Sequence, residues 1–450
     1  MISTTHARLF NGVVITGEVL VLGWLVATED LSRIGLALLA VVGAIGLLAI
    51  ASSRFPSGAT LALMAGAAMP RFAATVFGFH ARAEHLAIAL AMGMVAVEVS
   101  RKRLQPSFEL RSFDWFLIGY IVLNFVTSAA TSPEPRMTLR WAALSALAMS
   151  PYFLMRILVR NKKTLFKALH IMLWVGAAEA AYGLICFLSN HIFRTTFGVE
   201  AEQYGFMPGT YGTQYEANLF GSYTACCAIM FLAFFVMGDE SRRSRYKWGF
   251  AITSLGAVIS LARSVFVAFP VAVLLVLWIA NKKGLFRLRR VVPLGIGISV
   301  LFLAFSPVVV GLLRERFSTI NLSDISSDQT TWERLVQMAV AVEDVQAHPV
   351  LGTGTASFHL FFDPADYPAG FAGEDADEPG WISNTPLRIL HDTGVVGLTT
   401  FLAFTGFLLS AVRSALRIAT GKTAVVLTAL LAGCVLYAIT FQATEATMLA

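Results

Sequence analysis

Solid apolar stretches of about 16 to 25 residues recur along the whole chain, the length that the hydrocarbon core of a bilayer demands. No constraint on the fold is stronger, because within lipid every backbone polar group must be satisfied inside its own element. A transmembrane barrel would alternate apolar and polar residues, and these runs do not. Composition agrees: the 450 residues are 56% hydrophobic and 14% charged, against ~25% charged in an average soluble domain. Spans are expected near 9–27, 33–52, 59–78, 84–99, 112–130, 141–159, 166–188, 217–237, 247–262, 264–281, 290–312, 386–411 and 423–444. That reading gives an all-α polytopic membrane protein with about 12–13 transmembrane helices. The first span lacks a small-residue cleavage pattern and is expected to be a retained span rather than a signal peptide. Cys186, Cys226, Cys227 and Cys434 all fall in apolar spans without ligand spacing, so neither a disulfide nor a metal site is expected.

Charge orients the spans. Short loops carrying Arg101–Lys102–Arg103, Arg160 with Lys162 and Lys163, Arg242, Arg243, Arg245 and Lys247, Lys282 and Lys283, and Arg413 with Arg417 all fall on one side. The excess of Lys and Arg assigns that side to the cytoplasm. The basic pI of about 9.2 is therefore mostly topology, and nucleic acid is not an expected partner. The opposite face carries two polar loops, about 189–216 and 313–385. The larger holds twelve of the chain's 28 acidic residues, no lysine, and the arginines Arg314, Arg316 and Arg334. The organisation expected is N-terminal spans (1–188), a first outer loop with central spans (189–312), a large outer loop bearing active-site arginines (313–385), and C-terminal spans (386–450).

Three segments carry candidate chemistry. Arg263 sits in Ser260–Leu261–Ala262–Arg263–Ser264, between two apolar runs that leave almost no loop. A permanent charge there is costly unless it is paired, reaches the interface or binds an anion. Apolar spacing from Trp332 to Val345 suits a helix on the membrane surface, stopped by His348–Pro349 and followed by the glycine turn Gly352–Thr353–Gly354. Last comes Ser383–Asn384–Thr385–Pro386, in which Asn384 can cap a helix, with Gly394 and Gly397 allowing close approach of a neighbour. Trp381 can stack on a sugar ring or sit in an interfacial aromatic belt. Acidic residues inside spans are few and scattered: Glu18, Glu98 and Glu179. That, with no visible repeat, weakens a transporter reading.

The order of these segments resembles the O-antigen ligase and Wzy-type polysaccharide polymerase superfamily: an arginine after a span end, then Arg-Leu followed by His-Pro-x-x-Gly-x-Gly, then Asn-x9-Gly-x-x-Gly entering a span. Gly209–Thr210–Tyr211 and Glu216–Ala217–Asn218 also resemble that family's first outer loop, so the likeness covers roughly 205–410. The resemblance implies a GT-C-like membrane glycosyltransferase in the bacterial inner membrane, with its active site on the periplasmic face. Its donor would be an oligosaccharide on undecaprenyl diphosphate, its acceptor a glycan or a second lipid-linked unit, and no cofactor or metal would be needed. A chain-length regulator and a flippase are the implied partners, beside membrane lipids. On this resemblance Arg263, Arg334 and Arg316 would bind the diphosphate, and Glu216, Asn218, Trp381, Ser383 and Asn384 would contact substrate.

One position departs from the family pattern. Ligase members have His-Asn where this chain has Ser383–Asn384, and serine is a poor base near neutral pH. His391 and Glu378 are the replacement candidates for the general base. The missing histidine favours a polymerase over a ligase. A flippase and an inactive scaffold remain the alternatives from other classes.

Overall fold

The computed structural model describes residues 55–71, 73–76, 79–104, 110–200, 209–285, 329–361 and 382–441. The expected spans at 9–27, 33–52 and 290–312, and the site candidates Arg316, Glu378 and Trp381, lie outside the described residues.

The described elements are, in order, α1 (Ser57–Ala68), the strands β1 (Ala73–Val76) and β2 (Phe79–Arg82), then α2 (Ala83–Ser100), α3 (Ser112–Ala130), α4 (Pro135–Leu158) and α5 (Lys162–Phe193). Two-residue strands β3 (Val199–Glu200) and β4 (Gly209–Thr210) precede α6 (Ala217–Met237), α7 (Arg243–Ile259), α8 (Arg263–Lys282), α9 (Gln329–Ala347), α10 (Thr385–Ile418) and α11 (Gly421–Thr440). Eight of these helices (α2–α6, α8, α10 and α11) are long and apolar enough to cross a bilayer. The chain is thus a multi-pass helical membrane protein.

One expected span is corrected. Residues 59–78 are not a single crossing: α1 stops at Ala68, and 73–76 pair antiparallel with 79–82. The breaker is Pro70, which has no N–H to continue the helix. The Ala68 carbonyl this leaves at the helix end accepts from Thr213 Oγ1 (2.6 Å) and Gln214 Nε2 (2.9 Å). At 12 residues, α1 is only about 18 Å long.

The described residues form two compact units. The first comprises the described residues up to Ser107 and Ser150–Phe220, where α1 packs on α2 and on α5. Asn161 starts α5 with a reciprocal cap: its side chain accepts from Thr164 N (2.9 Å), while its own N–H donates to Thr164 Oγ1 (3.1 Å). Further along α5, Glu179 holds the outer-loop segment, accepting from Thr213 N at Oε1 (2.9 Å) with Thr213 Oγ1 2.7 Å from Oε2.

The second unit comprises Phe108–Met149 and the residues from Gly221 on, where α10 packs against α3, α9 and α11, and α8 against α11. The lipid and protein faces of α8 separate cleanly. Val267, Val271, Leu274 and Trp278 are exposed along one stripe, while Ala268, Ala272, Val276 and Ile279 are buried along another. The buried stripe is small-residue rich, which lets backbones come close where lipid is as apolar as leucine. At one end of this unit Lys283 Nζ donates to the carbonyls of Arg417 (3.0 Å) and Ala419 (3.1 Å), and Lys422 pairs with Asp239 (2.8 Å). The basic segments 282–283, 417–422 and 239–243 thus share an end, as the charge pattern requires.

Asn161→Ala removes the cap of α5 and should cost about 1 kcal/mol of stability. Thermal unfolding in detergent should show the loss, and Asn161→Asp, which keeps the acceptor, should not.

Candidate active site

In the second unit α9 ends at Ala347, the chain turns through His348–Pro349, and residues 349–357 meet α10 where that helix is broken. The break is at Gly394, with φ 63° and ψ −170°, a backbone that only glycine adopts at low cost. A break in a helix leaves amides and carbonyls without intrahelical partners. Here the loop supplies partners to four of them. Thr353 N donates to the His391 carbonyl (2.9 Å) and Gly354 N to the Asp392 carbonyl (3.0 Å). In return Val395 N donates to the Pro349 carbonyl (2.9 Å) and Val396 N to the Val350 carbonyl (3.4 Å).

This exchange explains the spacing of the glycine turn. Gly352 has φ 70°, and a Cβ on it would collide with the His391 carbonyl; a Cβ on Gly394 would collide with the Val350 carbonyl. Gly397 differs from expectation: a Cβ there meets Thr393 of its own helix rather than a neighbouring helix. Thr355 ties the loop to α3, donating from N to Ser128 Oγ (3.1 Å) and from Oγ1 to Asn124 Oδ1 (2.9 Å).

Beneath the loop lies a buried charge cluster. His391, fully buried, has Nε2 3.2 Å from Asp344 Oδ2 on α9 and Nδ1 3.0 Å from Asp392 Oδ1. Phe358 and Phe361 meet its ring edge-on, with centroids 5.6 and 6.1 Å away. The other Asp392 oxygen, Oδ2, accepts from Ala356 N (3.0 Å) and faces Arg388 Nε at 3.4 Å. Two carboxylates, one guanidinium and one imidazole thus share one confined space, where unpartnered polar groups are costly. A base must be open to its substrate and have a free lone pair. His391 is enclosed, and both of its ring nitrogens are already engaged.

Helix α9 is seated rather than floating on lipid alone. Val336, Val340 and Ala341 pack with Phe358 and Ile382, with Leu387 against them. A second stripe, Leu335 and Val342, stays exposed. Arg334 is half-buried on this helix, one turn before Gln337, and Gln337 Oε1 accepts from Ser383 Oγ (3.1 Å). The serine in the ligase-histidine position is thus bonded to α9 at the residue one turn after Arg334, with its proton committed to an amide. Asn384 caps α10 as expected, its Oδ1 accepting from Leu387 N (3.0 Å).

Arg263 is the first residue of α8, after a turn of three residues in which Leu261 takes φ 56° and Ala262 N donates to Ser260 Oγ (3.2 Å). Glu216 and Asn218 lie in the first unit, at the start of α6. There the Glu200 carboxylate accepts from Ala217 N (3.0 Å), favourable at a helix N-terminus. Arg388, Asp344 and Glu200 were not among the candidates from sequence. Arg388 and Asp392 stand at helical i,i+4 spacing and could have been found; the Asp344–His391 contact crosses 47 residues and could not.

A multi-pass helical membrane protein with a loop woven into a broken spanning helix is the class that these features define. Residues 248–402 match the Wzy_C family model, described as O-Antigen ligase. That segment is similar to the O-antigen ligase domain of this family, and the match covers about a third of the chain. The segment includes Arg263, Arg334, Ser383, Asn384 and His391, and leaves Glu216 and Asn218 outside. No curated protein matches the chain.

Gly352→Ala should destabilise this unit by about 2 kcal/mol or more, since left-handed backbone and overpacking add. Asp392→Ala should cost about 3–5 kcal/mol by removing the carboxylate beside the buried Arg388 guanidinium. Both should lower the thermal unfolding midpoint in detergent while the helical circular-dichroism signal of the folded state persists.

Proposed function

We propose that the protein polymerises undecaprenyl-diphosphate-linked oligosaccharide repeat units into a surface polysaccharide, working at the periplasmic face of the bacterial inner membrane. The observation that carries this reading is the placement of Arg263, Arg334 and the Ser383–Asn384 pair within the matched family segment, with Ser383 bonded to Gln337, the residue one helical turn after Arg334. In the reaction an acceptor hydroxyl oxygen bonds to the anomeric carbon of the donor. The bond from that carbon to the diphosphate oxygen breaks, and the lipid diphosphate leaves with the electron pair. Charge therefore grows on the diphosphate, and arginines aimed at it stabilise the transition state more than the ground state. Guanidinium suits the task because it is always charged and grips phosphate oxygens in pairs. Arg263 and Arg334 take this role, with Arg316 as a third.

The acceptor proton needs a destination. Ser383 donates its own proton to Gln337, and His391 braces the loop, so Glu378 is the base we retain. Asn384 supports the site by starting α10, and Trp381, Glu216 and Asn218 are the proposed sugar contacts. A second reading, transfer of finished glycan to lipid A–core, is favoured by the description of the matched family as a ligase. Only the acceptor differs.

The purified protein in lipid, given undecaprenyl-diphosphate repeat units, should lengthen them. Arg334→Ala should slow extension by about 10²–10³-fold, the loss seen when one charge-stabilising donor is removed. Ser383→Ala should stay within about tenfold of wild type, since loss of a general base costs about 10²–10⁴. Product forming only after lipid A–core is added would make the protein a ligase. Glycan lengthening at wild-type rate in Arg334→Ala would remove the arginines from the mechanism.

A further inference from the structure

Far from the matched segment in sequence, the ends of three helices enclose a cleft of about 200 Å³ within the first unit. Ser57 and Thr60 line it from the start of α1, Leu158 from the end of α4, and Thr164, Lys167 and Ile171 from one face of α5. Thr60 and Leu158 are buried and form the floor. Ser57, Thr164 and Ile171 are half-buried, and Lys167 is exposed at the rim.

The cleft has a defined depth. Helices α4 and α5 are both long and apolar enough to cross a bilayer, and only residues 159–161 join them. So short a link keeps both helix ends at the membrane surface, at the level of lipid headgroups. The excess of Lys and Arg assigns that surface to the cytoplasmic side. Ile171 lies one turn further into the membrane than Lys167.

Its charge is one-sided. Lys162 and Lys163 are exposed on the first turn of α5, and Lys167 follows a turn later. Among the described residues no carboxylate forms an ion pair with any of the three. The sequence holds no acidic residue between Asp30 and Glu84 or between Glu134 and Glu179, the two stretches that build the cleft. A lysine near the end of a spanning helix can simply extend to water. Lys167 does more, because it stands over a recess with its own polarity. Thr60 Oγ1 donates to the Pro56 carbonyl (3.0 Å) and Thr164 Oγ1 to the Asn161 carbonyl (2.9 Å), so both hydroxyl protons stay within their own helices. The side-chain donors left at the rim are the Lys167 ammonium and the Ser57 hydroxyl. Helix α1 begins at Ser57 without a side-chain cap, which adds partial positive charge on the same side. Cationic donors at the rim with Leu158 and Ile171 beneath them suit a ligand that has an anionic head and an apolar body.

We propose that this cleft binds the phosphate of an anionic phospholipid from the adjoining leaflet, with Lys167 and Ser57 as donors and Leu158 and Ile171 against the apolar part of the lipid. Basic residues at that surface meet anionic headgroups at close range. None of these residues takes part in the proposed glycosyl transfer, so the site stands or falls apart from that reading.

The test is native mass spectrometry of the full-length protein in detergent, titrated with phosphatidylglycerol or with phosphatidylcholine. Wild type should take up one phosphatidylglycerol in preference to phosphatidylcholine. Lys167→Gln should weaken that first binding step by about fivefold, the worth of one lysine at an anionic surface. Ser57→Asp should weaken it at least as far. An acidic residue suits the first turn of a helix, so this variant should keep the unfolding midpoint of wild type. Lys162→Gln, which does not line the cleft, should change binding less than Lys167→Gln. Equal losses in Lys162→Gln and Lys167→Gln, with Ser57→Asp binding as wild type, would leave only diffuse surface charge and overturn the site. Wild-type binding in both Lys167→Gln and Ser57→Asp would overturn it as well. Displacement of phosphatidylglycerol by glycerol 1-phosphate would overturn the lipid as ligand and name a soluble phosphate ester in its place.

Discussion

The exchange of backbone hydrogen bonds at Gly394 is the constraint on which the second unit depends. A spanning helix can be broken at membrane depth only if its freed amides and carbonyls find partners, since lipid offers none. The 349–354 loop supplies two donors and two acceptors in register. The same exchange fixes where α9 must end and where the pre-break turns of α10 must point. His391, Asp392 and Arg388 all lie on those turns, so the charge cluster is a consequence of the break. Glycine is required on both sides because the two backbones approach more closely than a Cβ allows.

Much of this was legible in the sequence, and the failures have physical causes. Long apolar runs dictated the spans, and Asn384 announced the start of α10 because an Asx cap is a local interaction. His348–Pro349 marked the end of α9 for the same local reason. The 59–78 run misled because hydropathy sums over a window and does not weigh the single proline that ends α1. Gly352 and Gly394 were visible as permissive residues, but their partners are 40 or so positions away in the chain, and only the fold pairs them.

His391 shows how residue type and role come apart. A histidine two turns beyond the missing ligase histidine is a reasonable base from spacing alone. Its surroundings favour a structural role instead: the ring is closed in by Phe358, Phe361 and two carboxylates. Ser383 makes the complementary point. Its hydroxyl is used locally, on Gln337, and by that contact it fixes the entrance of α10 relative to the turn of α9 that bears Arg334.

The arginines themselves are placed economically. Arg263 opens α8 directly after a three-residue turn, so its Cα is held by helix geometry rather than by a loop. Arg334 rides on α9, whose apolar face is locked to Phe358 and Ile382. A group that must meet developing charge gains most when its backbone does not have to reorganise during the reaction. On the proposed mechanism the His391–Asp344 contact would reach the chemistry indirectly: it ties α9 to α10, and α9 carries Arg334. Loosening that contact would remove none of the proposed substrate ligands and still misplace the Arg334 guanidinium, and a displacement of about 1 Å can cost 10²-fold in rate. On this argument the cluster beneath the loop is tied to rate as well as to stability, although none of its members need touch the sugar.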